Sequence, residues 1–168
     1  LRSHGVQQNP KLKIFDNKPW YYEMQELGFN YRLTDIQAGL GISQLKRAND
    51  GIKKRISIAK RYEKAFEKDK FIISQSGYIE GHAYHLYVIE VTNRLGLYNH
   101  LKKRNILSQI HYIPVHLMPY YRDLGHKEGD FPIAEKYYSR CLSLPMFPSL
   151  KNEEQEYVIE QIKSFYNE

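Results

Sequence analysis

The chain changes character at Thr34, and this boundary restricts the available folds more than any other feature. Thr34-Asp35-Ile36-Gln37 has the T-x-x-Q form of a capping box with an acid in its first turn, so a helix begins there. Residues 1–33, before it, are punctuated by Gly5, Asn9-Pro10, Asp16-Asn17, Pro19 and Gly28. Turn-formers at that density predict an irregular arm with at most a short helical turn. Its aromatic residues (Phe15, Trp20, Tyr21, Tyr22, Phe29 and Tyr31) predict a packed arm rather than a floppy one.

Beyond Thr34, Ile36 and Leu40 keep helical spacing, and Ala38, Gly39 and Gly41 make a smooth face that lets a neighbouring backbone come close. Burial of that helix against a neighbour is therefore expected. Ile52, Ile56, Ala59, Tyr62 or Glu63, and Phe66 predict a second helix from about Ile52 to Lys68, whose Lys- and Arg-rich face reads as solvated. From Phe71 the pattern turns strand-like: FIIS, then HLYVIEV from His85 to Val91. A helix follows over 94–104, closed by Asn105 where a left-handed residue belongs. Ile106–Ile113 reads as a strand ending at Pro114, Ile133–Arg140 as a short helix, and Leu142–Leu144 as a short strand. The last helix starts near Asn152 with an N-x-x-Q cap and buries Val158, Ile159, Ile162, Phe165 and Tyr166. Long helices plus a small, mostly antiparallel sheet make the class α+β. The expected organisation is an arm over 1–33, long linking helices over 34–70, and a small α+β domain over 71–168.

Composition narrows the function classes. No apolar run approaches the ~18 residues that span a bilayer, so no membrane helix is expected. Cys141 is the only cysteine, which excludes an internal disulfide and a cysteine-rich zinc site and fits a reducing, cytoplasmic location. The net charge of +6 suits phosphate-bearing partners. The chain starts at Leu1 without a signal-like core, and is expected to be a piece of something longer.

Two constellations could carry chemistry. In GFNYRLTDIQ, Asn30 and Arg32 fall on the same side of an extended segment approaching a helix N-terminus. An amide and a guanidinium side by side can donate several hydrogen bonds to phosphate oxygens. The competing reading makes Asn30 a turn residue and pairs Arg32 with Asp35. In IHYIPVHLMPYY, His111, Tyr112, His116, Tyr120 and Tyr121 gather in a Pro-broken loop at a strand end, a common place for binding residues. His111 and His116 lack metal-ligand spacing, His82 and His85 splay across a strand entry as structural histidines, and no metal site is expected. Neither G-x-x-x-x-G-K-[ST] nor G-x-G-x-x-G occurs, and Cys141 reads as core.

The stretch PWYYEMQELGFNYRLTDIQAGLGISQLKR, with IHYIPVHLMPYY and SLPMFPSL, resembles the C-terminal part of the DegT/DnrJ/EryC1/StrS nucleotide-sugar aminotransferases. G-x-N-Y-R-x-T-D-I-Q-A is the most specific part, and PWYYE is most similar to the branch that serves pseudaminic acid synthesis. Gly39 and Asn105 depart from the family's usual Ala and Gly. The resemblance implies the C-terminal portion of a type I aminotransferase fold, a homodimer with shared active sites, and pyridoxal 5′-phosphate as cofactor. It implies ping-pong transfer of an amino group from glutamate to C4 of a 4-keto-6-deoxy UDP-sugar. The cofactor-bearing lysine would lie in an N-terminal large domain outside this chain, leaving the chain alone inactive. Asn30 would reach the partner subunit's cofactor phosphate, Arg32 would face substrate at the same site, and His111, Tyr112 and His116 would lie near the nucleotide sugar. Two other classes compete. A non-enzymatic basic module binding nucleic acid or a partner protein predicts clustered Lys/Arg with exposed aromatics on one face. The basic residues here concentrate on helices and the aromatics in arm and loop, which disfavours nucleic acid. A sensory or regulatory protein could keep this half of the fold without catalysis.

Overall fold

A single helix of 32 residues, α1 (Asp35–Phe66), follows the Thr34 boundary in this computed structural model, which describes residues 2–16 and 18–167. Both halves of the capping box form: Thr34 N donates to Gln37 Oε1 at 3.0 Å and Gln37 N to Thr34 Oγ1 at 3.3 Å. The two helices expected between 34 and 68 are thus one. Gly51 costs the helix only about 1 kcal/mol relative to alanine, and no proline intervenes, so propagation carries through it.

The chain divides into two compact units, residues 1–47 and 48–168. In the first, β1 (Val6–Gln7) and β2 (Glu23–Met24) pair antiparallel, and a short 3-10 turn covers Pro10–Leu12. Glu23 is buried beneath this arm, where it accepts from the Ile14 and Phe15 amides and from Gln25 Nε2. Desolvation works against its charge, but these donors outweigh it and hold the carboxyl below its ordinary range. The arm's aromatic residues pack little within this chain: Phe15, Trp20, Tyr22, Phe29 and Tyr31 are exposed, and Tyr21 is half-buried. Likewise, a Cβ at Gly39 or Gly41 would meet nothing within 4 Å, so the smooth face of α1 is open rather than buried.

The second unit holds the core. β3 (Ile72–Gln75), β4 (Tyr87–Val91) and β5 (Cys141–Leu144) form an antiparallel sheet in that spatial order, with Tyr87 opposite Leu144 and Ile89 opposite Leu142. β4 alternates as a half-buried strand must, sending Tyr87, Ile89 and Val91 inward. Tyr62 and Phe66 of α1, Leu97 and Leu101 of α2 (Arg94–Lys103), and Val158, Ile159 and Ile162 of α5 (Asn152–Asn167) complete the cluster. Asn105 adopts φ 59° past α2, and Ile106 N returns to Leu101 O at 2.9 Å, closing that helix as expected.

Three local readings need correction. Within Ile106–Ile113, only Gln109 bridges to the sheet, opposite Ser143. The α5 cap sits one residue earlier than expected, with Lys151 N donating to Glu154 Oε2 at 2.8 Å. Gln155 is instead buried and donates from Nε2 to Ile58 O of α1 at 2.8 Å. The basic face of α1 is also not simply solvated. Arg55 Nη1 donates to the carbonyls of Tyr84, His85 and Met146, and Arg61 pairs with Glu156 at 2.6 Å.

Candidate functional site

In the first unit, the segment carrying Asn30 and Arg32 is pinned as an extended edge. Ser3 bridges Asn30, His4 N donates to Phe29 O at 2.9 Å, and Tyr31 N donates to Arg2 O at 2.8 Å. The rings of Phe29 and Tyr31 stack at 4.9 Å. Strand alternation therefore puts Asn30 and Arg32 together on the other side, two residues ahead of the capped start of α1. Both are exposed, and among the described residues neither side chain has a hydrogen-bonding or ionic partner; Arg32 does not pair with Asp35. Arg32 lines a cleft of about 600 Å3 with Ser3, His4, Gln7, Asn9 and Tyr22. An amide and an unpaired guanidinium on one side of a fixed strand make a donor set for phosphate or carboxylate oxygens.

In the second unit, His111 follows the Gln109–Ser143 bridge, and its Nδ1 lies 2.8 Å from Ser143 Oγ. Tyr112 is exposed and meets the His111 ring edge-on, with centroids 4.6 Å apart. A 3-10 turn (Val115–Leu117) and then α3 (Pro119–Asp123), neither foreseen in the sequence, carry the chain onward. His116 points inward, 7% exposed, with Nε2 2.8 Å from Oε1 of Glu135 on α4 (Pro132–Arg140). Glu135 also accepts from Gly129 N and Phe131 N, so one carboxylate ties the 126–131 loop to the 3-10 turn. The His116 contact and those amides outweigh desolvation and hold the Glu135 carboxyl below its ordinary range. Asp130 is held low in the same way, chiefly by Lys127 N and also by His126 3.5 Å away. A cleft of about 380 Å3 opens here between Val115, His116, Tyr121, His126 and Phe131.

Of the five expected site residues, Asn30 and Arg32 are exposed on one extended segment of the first unit, and His111 and Tyr112 meet in the second. His116 shares the loop of the latter pair but turns into the protein. Ser143 and Glu135 were missed, because their partners lie 32 and 19 residues away and no local pattern marks them. His82 and His85 are exposed, with His82 Nδ1 accepting from Tyr84 N. Among the described residues no group of three or more His, Cys, Asp or Glu is placed to hold a metal ion, and no helix is long and apolar enough to cross a membrane. Cys141 is buried, and burial pushes its thiol up, away from nucleophilic use.

The chain is similar to known proteins over nearly its whole length. The chain is 40% identical over 172 residues to the spore coat polysaccharide biosynthesis protein SpsC of Bacillus subtilis, covering 97% of this chain and 44% of the relative. It is 31% identical to the UDP-4-amino-4,6-dideoxy-N-acetyl-beta-L-altrosamine transaminase of Campylobacter jejuni, covering 99% and 45%. Among solved structures, Helicobacter pylori PseC, an aminotransferase involved in the biosynthesis of pseudoaminic acid, superposes with a TM-score of 0.78 at 28% identity, covering 99% and 44%. The chain thus spans less than half the length of these relatives, and its fold is a portion of the aminotransferase fold. The family model of the DegT/DnrJ/EryC1/StrS aminotransferases matches residues 1–163, and the chain belongs to that family.

Proposed function

We propose that this chain is the C-terminal part of a pyridoxal-phosphate-dependent aminotransferase that transfers the amino group of glutamate to C4 of a 4-keto-6-deoxy UDP-sugar. The observation that carries this reading is the Asn30–Arg32 pair, both without partners among the described residues and on one side of a pinned segment. Their donor chemistry fits a phosphorylated cofactor and an anionic substrate. Pyridoxal phosphate, when bound, supplies the electron sink for amino transfer. Asn30 donates from its amide to a phosphate oxygen of the cofactor held by the partner subunit. Arg32 presents its charge and planar fork to the substrate. His111 and Tyr112 contact the nucleotide sugar directly, and His116 acts there with its loop. The name of the Campylobacter relative supports a UDP-linked amino sugar, and with PWYYE it favours the pseudaminic acid branch.

On this reading residues 1–33 belong with a large domain outside this chain, 34–70 link the halves, and 71–168 form the small domain. The large domain and a second subunit cover the open face of α1 and the exposed aromatics of the arm. The cofactor-bearing lysine lies in that large domain, since every lysine here is exposed or half-buried and none has a shielded pocket. A cytoplasmic location follows from the metabolites used. The test is glutamate-dependent amination of 4-keto UDP-sugars by the complete, cofactor-loaded protein, read by the mass of the product. Absence of amine product across such substrates, with cofactor bound, refutes the proposal.

A further inference from the structure

We infer that Ser143 is a positioning residue for His111, fixing the ring so that Nε2 is presented to the nucleotide sugar; this rests on the reading that His111 meets that ligand. Ser143 is 4% exposed, in the middle of β5. Its backbone is locked from two sides. It stands opposite Val88 in the sheet, and it exchanges both hydrogen bonds with Gln109, at 3.1 and 2.7 Å. His111 lies two residues beyond Gln109 and so shares its face, and this brings Nδ1 to 2.8 Å from Ser143 Oγ. That is the only hydrogen bond the Ser143 hydroxyl makes among the described residues.

An imidazole held at one nitrogen has its other nitrogen and its ring plane decided for it. Because the held atom is Nδ1, Nε2 of the half-buried ring is left without a hydrogen-bond partner among the described residues. The identity of the partner matters too. A carboxylate there would only accept, pinning the proton on Nδ1 and leaving Nε2 bare. A serine hydroxyl both donates and accepts, so Nε2 can meet either an acceptor or a donor on the ligand while the ring orientation stays the same. Tyr112 packs edge-on against the ring, with centroids 4.6 Å apart.

The experiment uses the complete, cofactor-loaded enzyme and UDP-N-acetylglucosamine as an unreactive probe, with its Kd measured by calorimetry for wild type, Ser143→Ala, His111→Ala and the double variant. Cofactor absorbance reports that each protein is folded. Ser143→Ala is expected to raise Kd about 3- to 10-fold, the worth of one hydrogen bond, but to change it by less than about twofold when His111 is already alanine. The KM for the 4-keto UDP-sugar should rise in step while kcat holds. Ser143→Thr keeps the hydroxyl and should stay near wild type; a loss as large as that of Ser143→Ala overturns the inference. So does a Ser143→Ala effect of equal size in both backgrounds, which would show that Ser143 does not act through His111. If His111→Ala weakens binding and Ser143→Ala does not, the inference fails and the role of His111 stands. If His111→Ala leaves Kd unchanged, the role of His111 fails and takes the inference with it.

Discussion

Replacing Arg32 by alanine separates a binding role from a structural one. The side chain is exposed and has no partner among the described residues, so its removal breaks no contact that holds the fold. Surface changes of that kind move stability by within about 0.5 kcal/mol. In the complete enzyme the same change removes a charge-assisted donor fork worth about 1.5–3 kcal/mol. That corresponds to a fall in kcat/KM of roughly 10- to 150-fold for the keto sugar nucleotide. Arg32→Lys should recover only part of the loss, because an ammonium keeps the charge but not the planar bidentate geometry. Two measurements on the same preparations decide the matter: urea unfolding, and steady-state kinetics at fixed pH and salt. A stability loss above about 1 kcal/mol would show that Arg32 holds the fold. An unchanged kcat/KM would remove it from the site.

Asn30→Ala should weaken cofactor retention by about 1.5–3 kcal/mol, and equal cofactor dissociation constants for mutant and wild type would make Asn30 merely a turn residue. Tyr62→Phe deletes the hydroxyl that donates to Pro145 O at 3.1 Å from a fully buried ring, and should lower unfolding stability by about 1 kcal/mol in urea. Glu135 and Asp130 have folded carboxyls held below their ordinary range, so their stabilisation is present above that range and is lost as pH falls through the folded values. The urea midpoint should therefore drop on acidification, less steeply in Glu135→Gln; identical pH profiles would refute this. The chain alone, mixed with pyridoxal phosphate and reduced with borohydride, should yield no stoichiometric adduct at one lysine and no turnover, as mass spectrometry and the amination assay would report.

Elements with a local signal were legible. The capping box of α1, the left-handed Asn105 and the alternation of β4 are each decided within a few residues, and all three form as the sequence implies. Continuity was harder to read. Nothing within a few residues of Gly51 says that Asp35–Phe66 is one helix, because its second half is decided by Tyr62 and Phe66 meeting a sheet formed later in the chain. Gln155 looked like a cap because its spacing allowed it, yet the distant Ile58 carbonyl claims it. The site divides in the same way. Residue types singled out Asn30, Arg32, His111, Tyr112 and His116, whereas Ser143 and Glu135 declare themselves only once long-range pairing brings them to their histidines.

The open surface of residues 1–47 has a practical consequence for anyone handling this chain in isolation. Trp20, Phe15, Leu27, Ile36 and Leu45 each expose more than three-quarters of their surface, far more large apolar area than a freely soluble monomer of this size carries comfortably. A positive net charge of +6 resists self-association only within a Debye length of about 8 Å in physiological salt. Solutions of the chain should accordingly be clear in dilute buffer and turn turbid as salt or concentration rises. The same side chains should hold it on a phenyl matrix. Coexpression with a polypeptide that covers them is the rational route to a stable preparation.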